Sequence, residues 1–349
     1  MSVSTMSSPP TSAPATSAPT TGRASLRGSA RVVLRLHRKA LWAAGALLVL
    51  GIGIVVALRV WMASAKELCA DGDITPCGGP VHQPSYARTS TETFLADGGT
   101  VLLLLAALVG VFVAGPLIAR ELESGTFRLA WAQSVSPARW LAARLAVPAA
   151  LAVSGLAVLV VVYRWGLWAL RGYPYSHRIT WYGSGVFPGT GPALLGYVLL
   201  AVAVGALCAV LVRRTLLSMS LTALVLWTVA FGLEKRRSEL WPTVFRTDQD
   251  ALQSFSAGDW SIDAGMVTAS GRRLYWQDCY DADLAQGYDG DLAQHIEACL
   301  RDRGAVSDFI EYHPASHYWP LQLVETGILL ALAALAVLLA FRALRRLHG

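Results

Sequence analysis

The feature that most constrains the fold of this sequence is a set of six long, nearly uncharged apolar runs. A helix rises about 1.5 Å per residue, so about 20 apolar residues cross the ~30 Å hydrocarbon core of a bilayer. Inside lipid a segment must satisfy its own backbone hydrogen bonds, which favours helices for isolated runs of this length. The sequence therefore predicts an all-α polytopic membrane protein with six transmembrane helices. The predicted spans are residues 41–61, 101–119, 141–163, 192–212, 216–233 and 321–341.

Charged residues make up only 15% of the chain, and the net charge is +6. A soluble domain has about 25% charged residues. The basic residues cluster in the N-terminal tail, in the links between spans 2 and 3 and between spans 4 and 5, and at the C-terminus. By the positive-inside rule, both termini are predicted to be cytoplasmic in a multi-pass plasma-membrane protein. Two basic clusters, at 164–178 and 235–237, fall on the other side. No nucleic-acid partner is expected, because the charge follows the membrane topology.

The chain divides into four predicted regions. Residues 1–30 are rich in Ser, Thr, Pro and Ala, which predicts a disordered cytoplasmic tail. Residues 31–233 hold spans 1–5, with a coupling segment at 119–144. Residues 234–320 are long enough for a small extracytoplasmic domain, and 321–349 form span 6 and a basic cytoplasmic tail. A signal-peptidase-like Ala-Ser-Ala at 63–65 leaves cleavage of span 1 open as an alternative.

Four of the five cysteines fall on the predicted outer side, where disulfides form. Cys69 and Cys77 lie in the loop at 62–100, and Cys279 and Cys299 lie in the domain. Four cysteines permit three pairings. The local pairs Cys69–Cys77 and Cys279–Cys299 are preferred, and four free thiols are the alternative. Cys208 lies inside span 4, where it is expected to act as a small apolar residue.

The link between spans 2 and 3 reads ARELESGTFRLAWAQSVSPARWLAAR over residues 119–144. This pattern resembles the permease subunits of type-2 ATP-binding-cassette exporters. In that family Arg-Glu-x-Glu-x-Gly-Thr precedes a short apolar helix, a Pro or Ser/Arg turn and a basic residue at the next span. The matching residues are Arg120, Glu121, Glu123, Gly125, Thr126, Pro137, Arg139 and Arg144, the last of which is lysine in many relatives. The segment at 312–327, which runs into span 6, resembles one branch of the same family.

The resemblance implies a function for the whole chain. It would be the membrane subunit of an exporter that moves an apolar or amphipathic substrate out of the cell. Its implied partners are a separate ABC ATPase subunit, a second copy of this chain and membrane lipid. No cofactor is expected on this chain, because ATP and Mg would bind the ATPase. The residues implied to couple to the ATPase are Arg120, Glu121, Glu123, Gly125, Thr126 and Arg128, on a cytoplasmic coupling helix; an ordinary interfacial helix is the alternative.

Motifs for catalysis or metal binding do not occur in usable form. No Gly-x-x-x-x-Gly-Lys-Ser/Thr is present, so no catalytic residue is predicted and the chain is not expected to be an enzyme. The acidic run at 278–291 lacks the spacing of a calcium loop. His313 and His317 are four residues apart, but Pro314 argues against a helix that would bring them together, so no metal site is predicted. Glu325 in span 6 has two open interpretations, a functional acid or one that reaches the membrane surface.

Two other classes of protein are alternatives for this sequence. A membrane-anchored sensor or receptor would act through the domain at 234–320, but one span would be enough to anchor it. An ion- or proton-coupled carrier would need a charged relay, and no Asp, Lys, Arg or His lies in the middle of a predicted span. The exporter subunit therefore remains the preferred interpretation.

Overall fold

The computed structural model describes residues 38–65, 68–69, 81–83, 85–127, 136–170, 179–248, 251, 256, 258–279 and 292–346. Six helices in these ranges are long and apolar enough to cross a membrane, which confirms the predicted polytopic and mainly helical fold. The tail at 1–30 lies outside the described residues. Span 2 is made of α2 (Tyr86–Leu108), a π-helical stretch (Val109–Ala114) and α3 (Gly115–Ser124). The other spans are α1 (Arg38–Ser64, span 1), α4 (Pro137–Trp168, span 3), α6 (Ala193–Val212, span 4), α7 (Thr215–Arg236, span 5) and α9 (Tyr318–Arg346, span 6). Two shorter helices are α5 (Val186–Thr190) and α8 (Leu292–Asp302).

The two ends of the bundle carry different connections. One end bears the folded segment between spans 5 and 6 and is called the domain face. The other end bears the 2–3 link and the short 4–5 hairpin, which turns at Arg213 with φ of 56°. It is called the basic face, because the arginine clusters of the links and the C-terminus lie there.

Span 2 is longer than the sequence predicted, because its helix begins at Tyr86 and not near residue 101. The Ser85 side chain caps this helix by accepting a hydrogen bond from the backbone N–H of Arg88. Thr91 and Glu92 are polar yet buried in the bundle. Their polarity conceals the helix from a hydropathy reading, so residues 86–100, predicted as loop, are helical.

Span 2 changes its helical geometry before a proline. The π-helical stretch Val109–Ala114 precedes Pro116, which lacks a backbone N–H and crowds the carbonyl group four residues earlier. Gly110 in this stretch packs against span 4. A Cβ added at Gly205 of span 4 would lie 2.6 Å from the Gly110 carbonyl oxygen. The backbones of spans 2 and 4 therefore touch, as small residues allow.

Span 4 forms the centre of the bundle. It packs against spans 2, 3, 5 and 6. Most of its side chains are buried, whereas those of span 1 are exposed or only partly buried at the edge. A helix that is apolar on every face is suited to such a central position.

Two elements of the structure are β-sheets that the sequence analysis did not predict. A two-stranded ribbon, β1 (Leu68–Cys69) and β2 (Val81–Gln83), follows span 1. On the domain face an antiparallel sheet has the order β3–β6–β4–β5. These strands lie in mixed polar and aromatic sequence, where a two-residue periodicity is hard to detect. Their bounds are β3 Val244–Asp248, β4 Trp260–Thr268, β5 Arg273–Leu274 and β6 Ala305–His313.

The predicted disulfide Cys279–Cys299 is present and joins the segment just after β5 to α8. Ile296 and Leu300 of α8 pack with Leu274 of β5 beside this bridge. The predicted pair Cys69–Cys77 includes a residue outside the described ranges. Cys208 is a buried free thiol in span 4, as expected.

Candidate functional site

The predicted coupling residues lie at the basic-face end of span 2. Helix α3 ends at Gly125, which adopts the left-handed conformation with φ of 72° that glycine tolerates best. Thr126 follows and contacts the Ser124 hydroxyl at 2.9 Å. Arg120 is exposed. Arg128, with the rest of 128–135, lies outside the described residues, and so does the middle of the predicted coupling helix.

Glu121 joins the end of span 2 to the start of span 3. Its carboxylate forms an ion pair with Arg144. It also accepts a hydrogen bond from Trp140 Nε1 at 2.9 Å. Because one carboxylate binds both Trp140 and Arg144, it fixes how the start of span 3 lies against the end of span 2.

Glu123 joins the end of span 2 to the start of span 5. Its Oε2 accepts hydrogen bonds from the Thr215 backbone N–H at 3.1 Å and from the Thr215 hydroxyl at 2.7 Å. Thr215 is the first residue of span 5, where backbone N–H groups lack helical partners and the helix dipole favours a negative charge. The carboxylate therefore caps span 5 from another helix. The sequence could not indicate this contact, because 92 residues separate its partners.

A buried ion pair lies near the domain face. Arg237, just after span 5, is 3% exposed, and Glu325 of span 6 is 0% exposed. Arg237 Nε donates to Glu325 Oε2 at 2.9 Å, and the Tyr197 hydroxyl of span 4 donates to Glu325 Oε1 at 3.0 Å. The interpretation that Glu325 reaches the surface is therefore wrong. It is held inside the bundle by Arg237, a member of the basic cluster at 235–237 that does not fit the positive-inside rule.

Helix α5 completes the surroundings of this ion pair. The Arg237 guanidinium lies over the Phe187 ring, 4.3 Å from its centroid. Gln322, one helical turn before Glu325, donates to the Phe187 carbonyl oxygen and accepts a hydrogen bond from the Ala193 N–H at 3.2 Å. One face of span 6 thus holds both α5 and the beginning of span 4. Tyr197, Gln322 and Phe187 carried no sequence signal, because only the tertiary fold brings them to Glu325.

A cleft of about 480 Å³ opens between spans 2, 4 and 5 and ends at the buried ion pair. Its walls are mainly apolar. Phe112 of span 2 and Trp227 of span 5 are 59% and 63% exposed along it, and Trp227 stacks on Phe231. Its polar end is formed by Ser184, Tyr197, Glu234 and Arg237. Such a space fits an elongated molecule with an apolar body and a polar group.

The two histidines meet, contrary to the prediction. The Nδ1 atoms of His313 and His317 lie 3.0 Å apart, because Pro314 starts a 3₁₀ turn that folds the chain back. His313 Nε2 lies 3.0 Å from the Ser238 carbonyl oxygen, so the pair links the end of β6 to the end of span 5. Among the described residues, no group of three or more metal-ligating side chains occurs. Most of the acidic run lies outside them.

A known protein family matches more than half of the chain. Residues 42–236 of the 349 match the family described as ABC-2 membrane transporter related. The match includes nearly all of spans 1–5, the coupling residues and all residues of the cleft except Arg237. No curated protein and no solved structure matches the chain.

Proposed function

The chain belongs to the ABC-2 membrane transporter related family, as the permease subunit of an ABC transporter, and we propose that it drives export of an apolar or amphipathic substrate. The chain is thus a multi-pass membrane protein that works with an ABC ATPase subunit. The observation that carries the proposal for its substrate is the cleft between spans 2 and 5. Its apolar walls and single polar end suit an amphipathic molecule taken up from the membrane.

The proposal that transport is export rests on a proposed orientation of the bundle. We place the basic face in the cytoplasm, because arginines concentrate in its links and in the C-terminal tail. The coupling residues then face the compartment that holds ATP, and the domain face lies outside. A substrate that moves along the cleft toward Arg237 leaves the cytoplasmic side, which is export.

The contacts of the coupling residues suggest how the ATPase moves the cleft. Glu123 ties the end of span 2 to the start of span 5. Glu121 ties the same end to the start of span 3. Spans 2 and 5 are the helices that carry the aromatic walls of the cleft. A force applied to the segment at 119–144 would therefore act on both walls together. In this proposal Glu121 and Glu123 transmit the force and do not bind substrate.

ATP and Mg are proposed to bind the ATPase subunit, with no cofactor on this chain. The working complex is proposed to contain two copies of this permease and two of the ATPase. Native mass spectrometry of the complex purified through a tag on this chain would show whether the second permease is identical. Arg120, Thr126 and Arg128 are proposed to meet the ATPase, and Gly125 to provide the bend between helix and link.

The proposal is tested in vesicles that contain the permease and its ATPase, with ATP supplied at the basic face and a panel of amphipathic fluorescent dyes as probes. We expect ATP-dependent dye transport toward the domain face. Trp227→Ala should reduce this transport, whereas Trp42→Ala, which removes an exposed tryptophan of span 1 outside the cleft, should preserve it. Transport toward the basic face, or equal losses in both variants, would contradict the proposal.

A further inference from the structure

A second pocket, of about 570 Å³, lies at the domain face and is separate from the cleft. One wall is the end of span 3, and the other walls come from residues 179–190, the start of span 6 and Gly258 near β4. Trp181 holds the wall in place. Its Nε1 donates to the Gly258 carbonyl oxygen at 2.7 Å, and its ring packs edge-on against Trp260 and Tyr318.

Arg164 is the only charged side chain among the described residues that line this pocket. It is exposed, and Nη1 donates to the Thr190 carbonyl oxygen at 2.9 Å, which orients the guanidinium. The guanidinium carbon also lies 5.8 Å from the centre of the Trp319 ring. In the described part of the chain no carboxylate forms an ion pair with Arg164. A guanidinium has five N–H donors, so this one presents a positive charge with spare donors to the pocket.

The pocket lies at the depth of lipid headgroups. Helix α4 has 32 residues, which at about 1.5 Å each exceeds the ~40–45 Å thickness of a whole bilayer. Arg164 lies one helical turn before its domain-face end at Trp168. Trp165, Trp168 and Trp319 are exposed around the same level, where amphipathic rings mark the membrane interface. Leu167 and Leu170, which are largely buried, form apolar parts of the pocket wall.

We propose that this pocket binds an anionic phospholipid from the leaflet at the domain face. In this proposal the lipid phosphate contacts Arg164. The polar headgroup lies against Thr180 and Thr190, and an acyl chain follows Leu167. Guanidinium groups bind phosphate through charge-assisted, often bidentate hydrogen bonds. The exposed tryptophans beside Arg164 favour a lipid over a soluble molecule, because such rings mark the membrane surface.

The test measures lipid retained by the full-length permease in nanodiscs of phosphatidylcholine with a minor fraction of phosphatidylglycerol, by native mass spectrometry after release. Arg164→Gln should weaken phosphatidylglycerol binding about tenfold or more, as expected for loss of a charged hydrogen bond, and Arg164→Lys should weaken it less. The matched control is Arg59→Gln. Arg59 is also an interfacial arginine near the domain face, but it stacks on Trp165 at 4.0 Å and does not line the pocket.

Arg164→Gln also removes the hydrogen bond to Thr190, so a second variant blocks the pocket and leaves Arg164 in place. Ala315 is exposed and lines the pocket, so Ala315→Trp should fill it and displace the lipid with Arg164 intact. Equal retention in Arg164→Gln and the native protein, or equal loss in Arg59→Gln, would overturn the proposal. Equal retention of phosphatidylcholine and phosphatidylglycerol would remove the preference for an anion. Competition by free glycerol phosphate as strong as by the lipid would assign the pocket to a soluble anion instead.

Discussion

At the scale of single residues, the pair Arg237–Glu325 shows what a charge inside a membrane bundle requires. Each side chain is almost completely removed from solvent, and the Glu325 carboxylate accepts from both Arg237 and Tyr197. Burial of two charges is expensive, and their attraction repays it only when further hydrogen bonds satisfy the remaining groups. The pair fixes the position of the end of span 5 relative to spans 4 and 6. Its benefit is therefore a single defined packing of these helices.

Removal of one partner of this pair should destabilise the protein strongly. Glu325→Ala leaves a buried, uncompensated guanidinium, so the free energy of unfolding should fall by ~3–5 kcal/mol. The double variant Arg237→Leu with Glu325→Leu replaces both charges by apolar groups and should recover most of that loss. The measurement is the thermal unfolding temperature in one detergent. A double variant as unstable as Glu325→Ala would show that the pair does not explain the effect.

Glu123 has a different role, which one substitution in its partner can test. If Glu123 acts through its cap on span 5, Thr215→Ala should reduce substrate-stimulated ATPase activity in the same direction as Glu123→Ala but by less, because the backbone N–H of residue 215 still donates to the carboxylate. Thr215→Ala keeps the carboxylate and its surface charge and removes only the side-chain donor. Loss of a helix cap costs about 0.5–2 kcal/mol, so both variants should still fold and insert.

The activity is measured with the ATPase subunit in vesicles, together with co-purification of the two proteins. Normal stimulation in Thr215→Ala with loss in Glu123→Ala would mean that Glu123 contacts the ATPase directly and not through span 5. Ser220→Ala is a suitable control, since Ser220 is an exposed hydroxyl residue of the same span that donates only to the Leu216 carbonyl oxygen within its helix.

At the scale of helices and strands, close approach of backbones decides which positions tolerate change. Gly110→Val in span 2 should push span 2 away from span 4, because a side chain there meets the Ala201 backbone. Overpacking of this kind typically costs ~1–3 kcal/mol. Gly53→Val in span 1 is the matched control, since a Cβ at Gly53 meets nothing within 4 Å. The unfolding temperature should fall for Gly110→Val alone; an equal fall in both would refute the packing argument.

The elements differ in how far the sequence could predict them, and the reason is physical. The six spans were predictable, because lipid imposes a length and an apolar composition that a single segment shows by itself. The first turns of span 2 were not, since Glu92 and its polar neighbours are buried by other helices. The coupling motif was found from its residues, but the targets of Glu121 and Glu123 were not, because these contacts join segments far apart in sequence. The link Arg237–Glu325 was missed for the same reason.

At the scale of the whole molecule, the two faces have different roles in the proposed mechanism. The basic face holds the coupling residues and the helix ends that they tie together. The domain face holds the buried ion pair, the sheet with its disulfide and the Arg164 pocket. The cleft extends from the middle of spans 2 and 5 to the buried ion pair near the domain face. Every step of export therefore depends on which face is cytoplasmic.

Orientation is tested by cysteines placed on the two faces. Ser270 is exposed in the turn between β4 and β5, and Thr126 is exposed beside the coupling bend, where it avoids the positive φ of Gly125. In intact cells a membrane-impermeant maleimide should label Ser270→Cys, and it should label Thr126→Cys only after permeabilisation. Native protein treated in the same way gives the background from its own cysteines. Labelling of Thr126→Cys from outside, with Ser270→Cys protected, would place the coupling residues away from ATP and overturn both the orientation and the direction of transport.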